Sequence, residues 1–262
     1  WRLRRKILFA AIGKLSQIWK RVWSLQTHRF KTMSHRDRIQ EIIANSINEQ
    51  KDWKKEYHLF GKMFYVQEPF VGMVGVQNII DEIEQKIPSE IFNEIDMIMV
   101  GRFDFLEERE LEAVYRDGGI YITNSLFSDE DLLENIIHET AHSIEESHGY
   151  YIYADHKIIN EFVGKRETLQ RILDSHGFDT SQYDFNQTEY DEQFDEFLYK
   201  QVGYSKLLAL TNGLVSNPYA MTSLREYWAS GFEKYFLGDR EEIKRLSPQL
   251  FKKIEGVITY DD

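Results

Sequence analysis

The chain has 262 residues and no cysteine, which excludes a disulfide framework and thiol chemistry and leaves the cellular compartment open. This length can hold one substantial domain with an arm, or two small domains, and a hydrophobic share of 42% supplies ample material for a core. Four prolines and a high share of Leu, Ile, Lys and Glu favour an α+β protein that is mainly helical.

The first segment, residues 1–38, is strongly basic, with eleven Lys and Arg against one acid. Apolar residues such as Ile7, Leu15 and Trp19 recur near helical spacing between these charges, which predicts a basic amphipathic helix. Such a helix can contact a membrane surface, a larger assembly or the protein's own acidic body, or it can be an ordinary linking helix. Its apolar run stops at Lys14, so it is too short to span a membrane.

The rest of the chain is an acidic body, with 43 acidic and 21 basic side chains in a protein of net charge −12. We therefore expect no nucleic-acid binding by this body, and its charge favours basic substrates. We place the domain boundary near residue 60, between a helical arm (1–60) and a main domain (61–262). The predicted elements before the central motif are a helix over 36–57, a loop-rich join or short strands over 60–75, a helix over 77–86 and a core strand over 95–105.

A β-hairpin is predicted over residues 112–123, because alternating apolar and polar residues flank an Asp-Gly-Gly turn at 117–119. The next segment, residues 128–148, predicts one long helix, with Ser128 as its N-cap and Gly149 as its C-cap. Its apolar stripe consists of Leu133, Ile136, Ile137, Thr140 and Ile144, and it lies opposite the two histidines described next.

This helix carries the motif His138-Glu139-Thr140-Ala141-His142. Two imidazoles four residues apart lie one turn apart on one helix face, so both can reach a single metal ion. Glu139 can then act as general base on a water molecule at that metal. The pattern is typical of a zinc hydrolase and predicts Zn²⁺ as cofactor. The plain alternative is a pair of histidines on the polar face of a solvated helix.

Catalytic zinc usually has three protein ligands, and the residues leave two acids open as the third. Glu161 follows His142 after eighteen residues, a spacing that fits thermolysin-like and aminopeptidase gluzincins. Glu226 lies on a predicted amphipathic helix over 219–236 and projects away from its apolar stripe. That stripe consists of Leu224, Tyr227, Trp228, Tyr235 and, less centrally, Phe232. His148 is better explained as a histidine at the end of its helix, because the glycine that metzincins carry before their third histidine is absent.

Several motifs from His138 onward match one known family. They are Gly149-Tyr150 after the metal helix, the pattern Ile172-Leu173-Asp174-Ser175-His176-Gly177, and Tyr219 seven residues before the run Glu226-Tyr227-Trp228-Ala229. This stretch resembles the metalloprotease domain of anthrax lethal factor and its relatives. The resemblance implies a zincin-like metallopeptidase fold with a small mixed sheet beside the metal helix. It also implies that Glu226 is the third zinc ligand and that the Tyr219 hydroxyl stabilises the oxyanion.

Two departures from the family pattern concern the surroundings of the metal. Ser230 stands where the family has a glutamate, and residues 178–212 are additional. Ligand histidines need partners for their second ring nitrogen, and Ser230, Glu233 and Glu145 all stay open for that role.

These features predict a zinc-dependent metalloendopeptidase whose partner is a protein or peptide substrate, held extended along the strand at 119–123. One alternative is a gluzincin aminopeptidase that uses Glu161 as third ligand. Another is a peptidase-like interaction or structural module of a toxin or of a phage or mobile-element particle. Localisation stays unknown, since a secreted or particle-associated bacterial or phage protein and a cytoplasmic protein both fit the sequence.

Overall fold

The computed structural model describes residues 55–260, which form a mixed α+β structure, mainly helical, with one small sheet. The predicted basic arm and nearly all of the predicted helix over 36–57 lie outside the described residues. The described chain starts with a strand, so the sheet contains residues that precede the expected boundary at residue 60. None of the helices in residues 55–260 combines the length and apolarity that crossing a bilayer requires.

The first third of the described chain holds all of the sheet strands and two short helices. In order these are β1 (Lys55–Leu59), β2 (Lys62–Val66), α1 (Val76–Lys86), a 3₁₀ turn (Ser89–Phe92), β3 (Met97–Gly101), α2 (Asp104–Glu107), β4 (Ala113–Arg116) and β5 (Gly119–Thr123). The predicted helix over 77–86 and the predicted hairpin are confirmed. The strand predicted over 95–105 is shorter than expected, because the chain turns into α2 at its end.

The rest of the described chain is helical. It contains α3 (Asp129–Tyr153), α4 (Lys157–Ser175), α5 (Glu192–Glu196), a π-helical segment (Phe197–Val202), α6 (Tyr204–Leu210), a 3₁₀ turn (Pro218–Met221), α7 (Leu224–Leu237), α8 (Arg240–Leu246) and α9 (Pro248–Tyr260).

The five strands lie in the order β1-β2-β3-β5-β4. β2, β3 and β5 run parallel, and the two outer strands are antiparallel to their neighbours. The strand at 119–123, which we expected to hold a substrate, is β5, and it is paired on both sides. That expectation is wrong for a topological reason: the hairpin joins the parallel strands through its second strand, so β4 becomes the edge beside α3.

One face of the sheet is buried against helices α1 and α3. Phe64, Ile98 and Ile120 stand in register across three neighbouring strands and are almost completely buried. Side chains alternate between the two faces along each strand, so these positions share one face with Ile122. This layer places β4, at the sheet edge, alongside the middle of α3.

Helix α3 begins as predicted. Ser128 Oγ accepts the N–H of Asp131, and the Asp131 carboxylate accepts the N–H of Ser128, which is a reciprocal capping box. The predicted C-cap at Gly149 is wrong, because the helix continues to Tyr153. Burial of Ile152 holds this extra turn in place, so a glycine in its first part does not end the helix.

Helix α7 is shorter at its start than the helix predicted over 219–236. Pro218 opens a separate 3₁₀ turn that contains Tyr219, and Ser223 then caps α7 by accepting the N–H of Glu226 at 3.2 Å. Trp228 is fully buried, and its indole Nε1–H donates to the carbonyl of Ala141 at 2.9 Å. This bond fixes α7 against α3 at the motif itself. The remaining predicted apolar positions are also buried: Leu224, Tyr227, Phe232 and Tyr235.

The additional segment 178–212 packs beside the start of α7. The buried guanidinium of Arg166 donates to the carbonyl of Gln187 at 3.0 Å, and the N–H of Leu224 donates to the carbonyl of Thr188 at 2.8 Å. The segment therefore supports the turn from which α7 begins, two residues before Glu226.

Candidate metal centre

The packing of α3 on α7 brings three side chains together. The Nε2 atom of His138 lies 3.1 Å from Oε2 of Glu226, and Nε2 of His142 lies 3.7 Å from Oε1 of the same carboxylate. One nitrogen or oxygen atom of each residue lies within 4.8 Å of the other two. The exposed fraction of the side chain is only 11% for His138, 12% for His142 and 18% for Glu226. Three electron-pair donors thus converge in a largely buried place.

The local structure explains this convergence. His138 and His142 stand one turn apart on α3, and their ring centroids are 5.1 Å apart. Glu226 lies in the first turn of α7, where Ser223 caps the helix and sets its starting direction. The bond from Trp228 to the backbone of α3 then places that first turn opposite the two imidazoles.

Charge is distributed unevenly within the group when no metal is present. Burial lowers the pKa of His138, but hydrogen bonds to Glu226 and Glu233 outweigh it, so the pKa is raised well above the usual 6.5. Burial raises the pKa of Glu226, but the hydrogen bond to His138 and the charges of His138, His142 and Arg225 bring the net pKa below its usual value. Both shifts favour the charged pair, a protonated His138 imidazole beside an ionised Glu226 carboxylate.

Each imidazole also has an acid at its other nitrogen. Nδ1 of His138 lies 3.4 Å from Oε2 of Glu233, and Nδ1 of His142 lies 3.3 Å from Oε2 of Glu145. Ser230 is buried, but its Oγ has no hydrogen-bond partner among the described residues. Of the three candidates that the sequence left open, Glu145 and Glu233 therefore contact the histidines.

Glu139 lies beside this group and faces the sheet. Its Oε2 accepts the backbone N–H of Tyr115, on edge strand β4, at 2.7 Å. The side chain is buried between α3 and β4. Sequence reasoning had no signal for Tyr115, because its contribution is a backbone N–H that any residue except proline could supply.

The second candidate ligand, Glu161, lies elsewhere. Its carboxylate accepts the hydroxyl of Tyr227 at 2.9 Å and the N–H groups of Gln249 and Leu250 at 2.8 and 3.1 Å. Glu161 thus caps the first turn of α9 and takes no part in the His138, His142 and Glu226 group. The alternative of Glu161 as third ligand is wrong for this structure.

Tyr219 is half-buried on the 3₁₀ turn just before α7, with its backbone N–H donating to Oδ1 of Asn217 at 3.0 Å. Its role as the hydroxyl that stabilises an oxyanion stays a prediction. Arg225 and Tyr153 were not singled out from the sequence, although both hydrogen-bond to Glu145. Their spacing from the motif follows no pattern that the sequence alone could reveal.

The donor chemistry fits a metal ion. Two imidazole nitrogens and one carboxylate oxygen form a set that zinc accepts, with a fourth position left for a water molecule. The described residues thus define a mixed α+β protein with a buried His138, His142 and Glu226 group that could hold a metal ion. Comparison of the chain with protein-family models, curated proteins and solved structures finds no match.

Proposed function

We propose that the protein is a zinc-dependent metalloendopeptidase with a zincin-like fold. The observation that carries this proposal is the Glu226 carboxylate facing Nε2 of both His138 and His142, with Glu139 next to the first histidine. A zinc ion held by these three ligands would supply a Lewis acid that activates water and polarises a peptide carbonyl. The resemblance to the lethal factor family supports the same three ligands.

Glu139 is the proposed general base. The N–H of Tyr115 holds its Oε2, so Oε1 is the oxygen that would accept the proton of the attacking water and return it to the leaving amine. Burial of this carboxylate limits competition from bulk water. The Tyr219 hydroxyl would donate a hydrogen bond to the oxygen that becomes negative in the transition state.

The edge strand β4 supports an extended peptide as substrate. The backbone N–H of Thr123 donates to the carbonyl of Glu112, so these two residues form a hydrogen-bonded pair between the antiparallel strands. Hydrogen-bonded and non-hydrogen-bonded pairs alternate along such strands, so the backbone groups of Ala113 and Tyr115 point away from β5. The Tyr115 N–H then reaches Glu139, which puts this outer edge at the proposed base. A peptide added to β4 as a further strand would lie along the metal group.

The test compares the wild type with Glu139→Gln and with the control Glu146→Gln, which changes an exposed acid two turns further along α3. We expect about one zinc per chain in all three proteins by elemental analysis. Cleavage of a peptide library should fall about 10²- to 10⁴-fold only in Glu139→Gln, because the base is lost. A chelator should abolish cleavage in the wild type, and added zinc should restore it.

Two results would contradict the proposal: a folded wild type without zinc, or a Glu139→Gln variant that cleaves as fast as the wild type. Zinc binding without any cleavage would favour the peptidase-like interaction module instead.

A further inference from the structure

Glu145 lies one turn after His142 on α3 and is almost fully buried, with 8% of its surface exposed. Its two oxygens have three partners. Oε2 contacts Nδ1 of His142 at 3.3 Å and accepts Nε–H of Arg225 at 2.9 Å, and Oε1 accepts the hydroxyl of Tyr153 at 2.6 Å. A buried carboxylate is tolerated when it is paired in this way, and these partners leave it little freedom to rotate.

The contact with Arg225 joins the two helices that carry the metal group. Arg225 immediately precedes Glu226 on α7, whereas Glu145 and His142 belong to α3. The Arg225 side chain is more than half exposed, so we assign this ion pair an orienting role and not a large contribution to folding stability. Tyr153 lies in the extra turn of α3 beyond Gly149, so this turn supplies one of the hydrogen-bond donors to Glu145.

We infer that Glu145 is a positioning residue for His142, held in place by Arg225 and Tyr153. By accepting the Nδ1–H of His142, the carboxylate fixes the ring orientation and leaves the Nε2 electron pair free for the metal position that His142 shares with Glu226. The inference rests on the proposed metal role of His142.

Glu233 provides an internal comparison. It makes the equivalent contact with Nδ1 of His138, at 3.4 Å, but within the described part of the chain that is its one polar side-chain contact. Its side chain is also more exposed, at 20% against 8% for Glu145. The weaker constraint on Glu233 predicts a smaller effect when its charge is removed.

The experiment measures the dissociation constant for zinc by competition with a chromophoric chelator, in wild type, Glu145→Gln, Glu233→Gln and Arg225→Met. We expect zinc binding about 10- to 100-fold weaker in Glu145→Gln, because one amide oxygen cannot accept from three donors. Glu233→Gln and Arg225→Met should each weaken binding less. The double variant of Glu145 and Arg225 should bind zinc about as well as Glu145→Gln alone, since both changes break one link.

Nuclear magnetic resonance separates positioning from mere support of the fold. In the zinc-loaded wild type, the Nδ1–H proton of His142 should be observable because its hydrogen bond slows exchange with water. In Glu145→Gln this signal should broaden or disappear, while the corresponding signal of His138 persists. An unchanged zinc dissociation constant together with an unchanged His142 signal would overturn the inference.

Glu145→Gln could fail to fold, so Tyr153→Phe is the second variant, since it keeps the carboxylate and removes one donor. It should weaken zinc binding a few-fold, and an unchanged constant in both Tyr153→Phe and Arg225→Met would overturn the inference. If the wild type cleaves peptides and Glu145→Gln binds zinc as tightly as the wild type, the positioning role is contradicted and the proposed function is not. If Glu145→Gln binds zinc more weakly than the wild type but the wild type cleaves no peptide, the proposed function is contradicted and the positioning role is not.

Discussion

Two acids in the helical part of the described chain, Glu226 and Glu161, show how surroundings decide what a carboxylate does. Glu226 faces the Nε2 atoms of two histidines, whereas Glu161 faces the hydroxyl of Tyr227 and two backbone N–H groups. Both acids are tied to α7, because Tyr227, which donates to Glu161, directly follows Glu226.

The difference is one of donors and acceptors. Glu161 is surrounded by groups that donate hydrogen, so its negative charge is balanced by hydrogen bonds and by the start of a helix. Glu226 converges with imidazole nitrogens that can themselves supply electron pairs, and such a group is completed by a proton or a metal cation. One acid therefore supports the fold and the other suits chemistry, although both fit a ligand spacing in the sequence.

The largest expected effect separates the two acids by metal binding. Glu226→Ala should weaken zinc binding by more than about 100-fold, since it removes a direct ligand and not only its support. Glu161→Ala should leave the zinc content at the wild-type value. Elemental analysis after dialysis against a weak chelator measures both. Loss of zinc in Glu161→Ala with a native circular dichroism spectrum would contradict the comparison.

For the free energy of unfolding, in contrast to zinc binding, we expect the larger effect from the substitution of Glu161. Glu161→Ala removes a charged acceptor from Tyr227 and from the first turn of α9, so we expect the free energy of unfolding to fall by about 2–3 kcal/mol. Urea denaturation in the presence of a chelator measures this fall. Glu161→Gln is the matched variant: it keeps one acceptor oxygen, and a loss as large as that of alanine would argue against the capping role.

The pH dependence of stability, measured with a chelator present, should report the pairing of His138 with Glu226. The raised pKa of His138 gives stability that is complete below about pH 6.5 and is lost as the pH rises through the raised value. The lowered pKa of Glu226 gives stability that is present above about pH 4.5 and is lost as the pH falls through the lowered value. Zinc must displace the proton, so zinc binding should weaken as the pH falls.

Thermal unfolding with a chelator, from pH 5 to pH 9, tests this sign. The difference in Tm between wild type and Glu226→Gln should shrink as the pH rises from 6.5 through the raised pKa of His138, because the stability that the proton gives to the wild type is lost over that range. A difference that grows over this range would show that the pair is not charged in the way described.

The smallest effect concerns a cap made by a neutral side chain. Ser128 does for α3 what Glu161 does for α9, but with a hydroxyl at a partly exposed helix start. Ser128→Ala should cost about 1 kcal/mol of unfolding free energy and leave zinc affinity unchanged. Ser125→Ala, in the preceding exposed loop, is the control and should change neither quantity. A cost as large as that of Glu161→Ala would remove the distinction between the charged and the neutral cap.

Local patterns predicted the hairpin, the helix that carries the two histidines and the apolar face of α7, because each depends on residues close together in the chain. The end of α3 was not predictable in the same way. Gly149 favours helix termination locally, but burial of Ile152 and the bond from Tyr153 to Glu145 favour another turn. Long-range contacts outweighed a weak local preference.

The choice of substrate-binding strand failed for a related reason. Alternation within the hairpin identified both strands, but it carries no information on which of them pairs with β3. Likewise, Ser230, Glu233 and Glu145 were equal candidates in the sequence. The contact of Glu233 with His138 depends on how α7 packs on α3, whereas Glu145 lies one turn from His142 on α3 itself.

The sequence by itself determined that two histidines and a glutamate share a helix, since helical periodicity is a local property of five consecutive residues. Only the tertiary structure decided which distant acid joins them. The burial of Trp228 and its hydrogen bond to Ala141 position α7 on α3, and this packing places Glu226 opposite the histidines. Glu161 instead accepts hydrogen bonds from the first turn of α9. Contacts between residues almost ninety positions apart depend on how whole helices pack, so the spacing of residues in the sequence does not predict them.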